Sequence, residues 1–178
     1  MSVNTDHRRR GALTFVAGDA TRPVGDGARV LAHVCNDAGR WGKGFVVPVG
    51  RRWPHVRQAF LAWHHGAAAG EPPFELGQVQ VVEAEAGLWV ANMLGQHGVL
   101  PRDGVPPIRY DALRQALGRV AIVARDHGAS VHIPRIGCGL AGGSWNVVGP
   151  MVGQTLCEAG VDVTVYDLPE ARKVDGAT

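Results

Sequence analysis

The residues best suited to bind a phosphate lie in a glycine-rich stretch between an apolar strand pattern and an apolar helix pattern. Residues 131–136 contain the apolar side chains of a buried strand end, and four glycines follow at positions 137, 139, 142 and 143. An apolar helical pattern then begins at Val147. A glycine loop in this position directs backbone N–H groups outward at the positive end of the helix dipole. We name residues 135–144 the second glycine loop and predict that it binds phosphate, with a purely steric glycine turn as the alternative.

A similar loop follows an earlier buried-strand pattern at residues 30–35. Residues 36–45, here named the first glycine loop, contain Lys43 between two glycines. The loop does not fit the Walker A pattern, because Gly44 stands where Ser or Thr should follow the lysine and Asp37 stands at the position of the first glycine. Lys43 is therefore not expected to be an ATP-binding lysine of that type.

The spacing Gly137-x-Gly139-x-x-Gly142 also matches the dinucleotide-binding fingerprint, and Asp167 follows the next strand pattern as the fingerprint requires. Only a short segment follows Asp167, so we do not expect the second half of a doubly wound nucleotide domain. A nicotinamide site is thus the less favoured interpretation, and we predict no cofactor.

Charge and cysteine content limit the class of protein. The 18 basic and 16 acidic residues give a net charge of +2, which argues against a role in bulk nucleic-acid or membrane binding. Only two of the basic residues are lysines, Lys43 and Lys173. Three cysteines without framework spacing fit a reducing compartment. With no signal-peptide pattern and no transmembrane-length apolar stretch, we expect a cytoplasmic protein.

Strand and helix patterns alternate along the chain and predict an α/β domain with a mixed, mostly parallel sheet. Strands are expected near residues 13–17, 30–35, 78–83, 88–94, 131–136 and 161–166, with a hairpin at 86–87. Helices are expected within 44–65, starting near Pro48 or broken near Gly50, and over 110–127 and 147–159. Residues 95–107 have no periodicity and suggest a binding loop or lid. We expect residues 1–10 to form a disordered basic arm and residues 169–178 a loose tail.

Four stretches, in family order, resemble the signature stretches of a macrodomain: Gly18–Ala20, His33–Phe45, Ile133–Leu140 with Trp145, and Val163–Tyr166. The resemblance is closest to the branch that includes the terminal ADP-ribose protein glycohydrolase, the DNA ADP-ribosyl glycohydrolase antitoxins and the yeast ADP-ribose-1''-phosphatase. It implies that residues 11–168 form a three-layer α/β/α macrodomain with a central mixed sheet and an ADP-ribose cleft.

The resemblance also implies roles for individual residues. Asp19 would accept a hydrogen bond from the adenine amino group, residues 42–45 and 137–140 would wrap the diphosphate and distal ribose, and residues 166–168 would border the adenine. The implied ligand-binding residues are Asp19, Ala20, Asn36, Gly42, Gly44, Phe45, Ile136, Gly137, Cys138, Gly139, Leu140 and Tyr166. At Gly139 we expect the backbone to approach phosphate closely, with a positive φ as one way to achieve it.

Two departures from the branch affect the expected mechanism. The terminal ADP-ribose glycohydrolase has an aspartate where this chain has Ala141, and its catalytic lysine has no counterpart here. Lys43 instead matches the Gly-Lys-Gly of the DNA-directed branch. We predict Lys43 and Asp37 as catalytic residues, Lys43 as base, nucleophile or compact positive charge and Asp37 as the group that orients a water. The alternatives are a solvated loop lysine and a turn-capping aspartate.

Other side-chain combinations are less favoured. Cys138 with His33 or His132 is more typical of packing than of a thiol nucleophile. His55, His64 and His65 have no zinc-site spacing, so we predict no metal.

The predicted function is an ADP-ribosyl hydrolase that removes ADP-ribose from acidic side chains. The alternatives are a non-catalytic ADP-ribose reader and a phosphatase or deacetylase of free ADP-ribose derivatives. The expected partners are ADP-ribose and ADP-ribosylated proteins, and ADP-ribose linked to nucleic acid remains open.

Overall fold

The computed structural model describes residues 9–169, which form six strands and four α-helices around one sheet. Residues 1–8 of the predicted arm and 170–178 of the predicted tail lie outside the described residues. The elements are β1 Leu13–Ala17, β2 Arg29–Asn36, α1 Val46–Arg52, α2 Pro54–His64, β3 Val79–Glu85, β4 Leu88–Gln96, α3 Tyr110–His127, β5 Ser130–Pro134, α4 Trp145–Val152 and β6 Val163–Asp167. A π-helical turn, Gly153–Cys157, follows α4. None of the helices in residues 9–169 has the length and apolar character that a membrane crossing requires.

The sheet order is β1-β6-β5-β2-β4-β3, and every neighbouring pair is parallel except the hairpin β3–β4. The prediction of a mixed, mostly parallel sheet is therefore confirmed. Because β2 and β5 are parallel neighbours, the loops that follow them leave the same edge of the sheet. Ligands of open α/β sheets bind at this edge.

Helices cover both faces of the sheet, as the three-layer prediction requires. Successive residues of β2 show the division, because Val30 and Ala32 pack in the core beneath α3 and α4 whereas Leu31 packs in the core beneath α1 and α2. Both cores are built from almost fully buried side chains. The two layers hold the carboxyl ends of the strands in fixed positions, and these ends carry the loops of interest.

The break between the first two helices differs from the prediction. It falls at Trp53, which has φ −130° and ψ 82°, and Gly50 lies inside α1. Pro54 causes the break, because a proline disfavours helical geometry in the preceding residue and is itself well placed at the start of the next helix. α1 also begins at Val46, ahead of Pro48.

The N-terminal part of the described chain is held to the end of the sheet. The Arg9 guanidinium lies 3.1 Å from the Asp162 carboxylate, and the same carboxylate accepts a hydrogen bond from the Ala12 N–H at 2.8 Å. The Gly11 N–H donates to the Cys157 carbonyl at 2.8 Å. These contacts begin before residue 11, the predicted start of the domain.

Candidate functional site

The two glycine loops lie next to each other at the carboxyl ends of the parallel neighbours β2 and β5, and we name the space between them the cleft. Leu140 of the second loop, which is 62% exposed, lies beside Gly44 of the first. Its Cδ1 lies 3.2 Å from where a Cβ on Gly44 would stand, and Gly44 has a φ of +81° that suits glycine. The structure thus brings together the two segments that the sequence predicts as phosphate-binding.

Each loop offers backbone donors that the protein leaves unused. In the first loop, the N–H groups of residues 42–45 donate to no acceptor within residues 9–169. In the second loop, the same holds for the N–H groups of residues 137, 139, 140 and 141. Such runs of outward N–H groups form anion-binding concavities.

The second glycine loop is shaped by bonds within its own backbone. The Gly143 N–H donates to the Gly137 carbonyl at 2.7 Å, and the Gly142 N–H donates to the Gly139 carbonyl at 3.0 Å. Gly137 and Gly142 have φ values of +70° and +74°. The expectation of a positive φ at Gly139 is wrong, because the reversal of the chain is made at its two glycine neighbours instead.

The first glycine loop is shaped by side chains. The Asn36 amide accepts from the Arg40 N–H and donates to the Arg40 carbonyl, both at 2.9 Å. Asn36 is buried, and these two bonds use both ends of its amide. Its side chain therefore closes the loop on itself, whereas the resemblance implied contact with the ligand.

Asp37 contacts a third loop, residues 97–109, which we name the β4–α3 loop. Its Oδ2 accepts from the His97 Nδ1 at 2.7 Å, and its Oδ1 accepts from the Gly98 N–H at 2.8 Å. Both oxygens are thus engaged within the protein. His97 is 48% exposed and Asp37 is 22% exposed, so the imidazole lies on the solvent side of the pair.

Asp19 lies at the end of the edge strand β1. Its Oδ1 accepts from the Thr21 N–H at 2.9 Å and from the Thr21 hydroxyl at 2.8 Å. Within residues 9–169 its Oδ2 accepts no hydrogen bond. One carboxylate oxygen of Asp19 is therefore available for an external donor.

Three predicted binding residues are too buried to present their side chains to a ligand: Ala20, Ile136 and Tyr166. The Tyr166 hydroxyl accepts from the Val24 N–H at 2.9 Å and lies 2.7 Å from His132 Nδ1. Burial raises the pKa of Tyr166. These residues can meet a ligand only through their backbone or the edge of a side chain.

Lys43 is exposed at the tip of the first glycine loop and makes no ion pair with any residue from 9 to 169. Phe45, in the same loop, is half-buried with its ring centroid 5.7 Å from that of His33. Gly42 has open space around its Cα. The tip of the loop, which carries Lys43, therefore makes no contact with the Asn36 bonds that close the beginning of the loop.

The cysteine–histidine combinations are not brought together as catalytic pairs. His33 Nε2 lies 2.6 Å from the Asn92 amide oxygen, and His132 is bonded to Tyr166 and Ser130. Burial lowers the pKa of both His33 and His132 to about 4. Burial also raises the pKa of Cys138, whose thiol donates to the Ile136 carbonyl. These groups are packing residues.

Asp167, the acidic residue of the dinucleotide fingerprint, is already paired. Arg135 donates to its two carboxylate oxygens at 2.7 and 2.8 Å, and these bonds hold the Asp167 pKa below its ordinary value. The guanidinium carbon of Arg135 also lies over the rings of Phe15 and Trp145, 5.0 and 4.8 Å from their centroids. Both oxygens of Asp167 are therefore already bonded to Arg135, an arrangement that the dinucleotide fingerprint does not require.

His97 is not among the site residues predicted from the sequence. It lies 60 positions from Asp37, and no short motif contains both residues. One signal was present, because β2 and β4 are both apolar runs followed by polar residues at their carboxyl ends. Had they been recognised as parallel neighbours, Asp37 and His97 would have been expected to meet.

Comparison with known proteins gives relatives of two kinds. A scan of protein-family models finds no match. The chain matches curated relatives named chromodomain-helicase-DNA-binding protein 1-like, from mouse at 26% identity and from zebrafish at 28%, each over 173 residues and 90–93% of this chain. It spans less than a fifth of the length of these relatives, 18% and 16%.

Solved structures give stronger matches. A Bacteroides thetaiotaomicron protein of unknown function is 46% identical, covers 89% of this chain and 99% of its own, and superposes with a TM-score of 0.84. The macrodomain of Mycobacterium tuberculosis DarG, 22% identical over 89% of this chain and 99% of its own, has a TM-score of 0.71 and shows the shared fold. A macrodomain protein from Streptomyces coelicolor is 51% identical over 88% of this chain and 99% of its own, with a TM-score of 0.76. With this identity over nearly the whole of that protein, and with the same mixed sheet between two helical layers, the chain belongs to the macrodomain family.

Proposed function

We propose that the protein binds ADP-ribose in the cleft between its glycine loops and removes it from acidic side chains of ADP-ribosylated proteins. The observation that supports this most is the two facing sets of unpaired N–H groups, residues 42–45 and residues 137 and 139–141. A diphosphate satisfies donors on both sides of a cleft at once, and hydrogen bonds to a charged acceptor are about twice as strong as neutral ones.

The orientation of the ligand follows from the chemistry at the two ends of the cleft. The free Oδ2 of Asp19 suits the adenine amino group, which is a donor. With the adenine at β1 and the diphosphate over β5 and β2, the distal ribose points toward β4. A structure of Thermosipho africanus DarTG in complex with ADP-ribose, whose chain shares this fold at 21% identity over 92% of this chain and 43% of its own, with a TM-score of 0.66, supports ADP-ribose as the class of ligand.

The proposed reaction breaks the bond between the anomeric carbon of the distal ribose and the carboxylate oxygen of the modified side chain. Water supplies the hydroxyl group that joins the anomeric carbon, and its proton goes to the leaving carboxylate. We assign Lys43 the role of stabilising the negative charge that develops on the leaving group, because it is exposed on the loop that would border the distal ribose. Arginine would keep this charge but with a wider, planar head.

The test combines binding and turnover. Calorimetry with ADP-ribose should detect binding, and Asp19→Ala should weaken it by about ten- to a hundredfold, the scale of a lost charged hydrogen bond. Incubation with glutamate-linked mono-ADP-ribosylated peptide should release ADP-ribose. Lys43→Ala should lower turnover by about a hundred- to a thousandfold, and Lys43→Arg by less.

A non-catalytic reader is the second candidate, and one observation favours it. Ala141 stands where the related hydrolase has an aspartate, and its buried methyl group offers no acid–base chemistry. A reader would bind ADP-ribose with the same dependence on Asp19 yet release none from the peptide. The release assay therefore separates the two functions, and unchanged affinity in a folded Asp19→Ala protein would count against the adenine assignment in both.

A further inference from the structure

We propose that His97 is the general base of the hydrolysis and that Asp37 is the residue that positions it; the proposal rests on the proposed function. The pair is defined by the 2.7 Å contact between His97 Nδ1 and Asp37 Oδ2. The second oxygen of Asp37 accepts from the Gly98 N–H at 2.8 Å. One carboxylate therefore fixes both the imidazole and the backbone that carries it.

The pair lies at the end of the cleft where the distal ribose is expected. In the sheet order, β1 with Asp19 and β4 with His97 are separated by four strand spacings, about 19 Å at roughly 4.8 Å each. The glycine loops follow β5 and β2, which lie between them. A ligand that begins at Asp19 and crosses both loops therefore ends beside the β4–α3 loop.

The β4–α3 loop contacts both glycine loops, and in the proposal it forms the end wall of the cleft. On one side it meets the first loop through the His97–Asp37 pair. On the other, the Ile108 N–H donates to the Ala141 carbonyl at 3.0 Å, and Pro106 Cβ lies 2.8 Å from where a Cβ on Gly142 would stand. In the proposed complex, a base on this wall lies at the distal-ribose end of the ligand.

The C-terminal end of the β4–α3 loop is held by hydrogen bonds within the loop. A single nitrogen of Arg109, Nη1, donates to the carbonyls of residues 106, 107 and 108 at 2.7, 3.2 and 3.0 Å. The His97 N–H donates to the Pro107 carbonyl at 2.8 Å. The bond from His97 to Pro107 joins the two ends of the β4–α3 loop. The backbone that carries the imidazole is therefore held in place, as a positioned base requires.

The carboxylate also sets the tautomer of the imidazole. Asp37 can only accept a hydrogen bond, so the proton of neutral His97 resides on Nδ1 and the lone pair on Nε2. With Nδ1 bonded to Asp37, Nε2 is the ring nitrogen without a hydrogen-bond partner among residues 9–169, and the side chain is 48% exposed. The arrangement is that of a base oriented by a third group.

The proposed step balances as follows. His97 Nε2 takes a proton from a water whose oxygen forms a bond to the anomeric carbon, and the bond from that carbon to the carboxylate oxygen breaks with its electron pair. The proton on Nε2 then passes to the released carboxylate or to solvent. Asp37 keeps its charge throughout and stabilises the imidazolium that forms.

The experiment measures two quantities in the full chain, single-turnover release of ADP-ribose from glutamate-linked peptide and the ADP-ribose Kd by calorimetry. The variants are His97→Ala, Asp37→Asn and, as a matched control, His65→Ala, which removes an exposed histidine at the end of α2. His97→Ala should lower turnover by about two to four orders of magnitude while Kd changes by less than about threefold. Asp37→Asn should lower turnover by about two orders or more, because the amide can donate to Nδ1 and so favour the wrong tautomer.

Added imidazole makes the test more specific. It can replace the base that is absent in His97→Ala, but it cannot correct the orientation of the His97 ring in Asp37→Asn. It should restore part of the turnover of His97→Ala and none of that of Asp37→Asn. Release by His97→Ala within about threefold of the parent rate would overturn the assignment while leaving the hydrolase intact. A loss that imidazole does not restore, accompanied by a lower melting temperature, would make His97 structural and overturn it too. If the parent protein binds ADP-ribose but releases none, the hydrolase itself fails.

Discussion

The two glycine loops leave neighbouring strands and serve one cleft, yet they are held by different parts of the chain. The first is closed by side chains, the Asn36 amide on Arg40 and the Asp37 carboxylate on the β4–α3 loop. The second is closed by backbone bonds such as that from Gly143 to Gly137. A loop held by side chains can be altered by substituting polar groups, whereas a loop held by its backbone requires glycine at fixed points.

Because the two loops are held differently, we also expect them to have different roles in ligand binding and chemistry. A backbone-held loop presents N–H groups with little regard to side-chain identity, which suits the diphosphate common to every ADP-ribose adduct. A side-chain-held loop carries chemically distinct groups, here Lys43 and Asp37, which the proposed function assigns to the bond that varies between adducts. Substitution of side chains in the first loop should therefore affect mainly substrate choice and chemistry, whereas changes in the second loop should affect mainly the affinity for ADP-ribose.

The largest expected effect comes from filling the backbone contact of the second loop. A Cβ on Gly143 would lie 2.5 Å from the Gly137 carbonyl oxygen, too close for any rearrangement of side chains to relieve. Gly143→Ala should lower the free energy of unfolding by about 2–4 kcal/mol, combining steric overlap with a lost hydrogen bond. Urea denaturation measures this. A Gly143→Ala protein as stable as the parent would show that the second loop does not depend on its backbone bond.

A comparable loss of folding stability is expected at low pH, because a buried histidine lies on the strand that precedes each glycine loop. His33 in β2 and His132 in β5 have pKa values lowered by burial to about 4, against 6.5 in an unfolded chain. The unfolded state therefore binds protons below pH 6.5 that the folded state takes up only near pH 4. Stability is complete above pH 6.5 and falls as the pH decreases toward 4, by about 1.4 kcal/mol per pH unit for each histidine.

Substitution separates the two histidines from other titrating groups. Between pH 6.5 and 5.0, each of the two histidines should lower the free energy of unfolding by about 2 kcal/mol. His33→Gln or His132→Gln should remove that part of the pH dependence. His65→Gln, at an exposed position, is the control and should leave the slope unchanged. Denaturation curves at a series of pH values provide the slopes. If His33→Gln and His65→Gln have the same pH dependence, His33 does not stay neutral in the folded protein.

The next effect tests the side-chain clamp of the first loop. Asn36→Ala removes both bonds to Arg40 and leaves a backbone N–H and carbonyl without their partners, at a cost of about 1–2 kcal/mol in unfolding free energy. Turnover should fall as well, because the tip that carries Lys43 loses its fixed base. Asn36→Asp is the finer comparison, since it keeps the acceptor for the Arg40 N–H and loses only the donor. Equal turnover in all three proteins would contradict a clamp that matters for function.

Sequence patterns predicted the parts of the molecule that depend on neighbours along the chain. The apolar stripe of α3 with Gly128 at its end, and the turn between β3 and β4, follow from periodicity and turn chemistry. The positions of the glycine loops followed from strand and helix patterns on either side. The break at Trp53 was also local, and Pro54 was the signal that had been overlooked.

Contacts between distant segments could not be predicted in the same way. The engagement of Asp37 by His97 requires the strand order, which no single stretch encodes. The clamp by Asn36 is local, yet an amide after a strand is equally suited to a ligand, a turn or a loop closure, and only its geometry decides. The resemblance to macrodomains supplied the fold and the cleft, but it could not say which polar side chains the chain keeps for its own structure.

The smallest effect on folding is expected at Gly139. This position separates the residues of the second loop that fix its backbone conformation from those that bind the ligand. A Cβ there would have no atom within 4 Å, and its φ is not positive, so Gly139→Val should change the unfolding free energy by no more than about 0.5 kcal/mol. Because this residue lies among the unpaired N–H groups, the same side chain should obstruct the approach of a diphosphate and weaken ADP-ribose binding by about tenfold or more. Gly118→Val, on α3 with equally open surroundings, is the matched control and should leave affinity unchanged. Calorimetry on the three proteins decides the matter, because full affinity in Gly139→Val would move the phosphate site away from the second glycine loop.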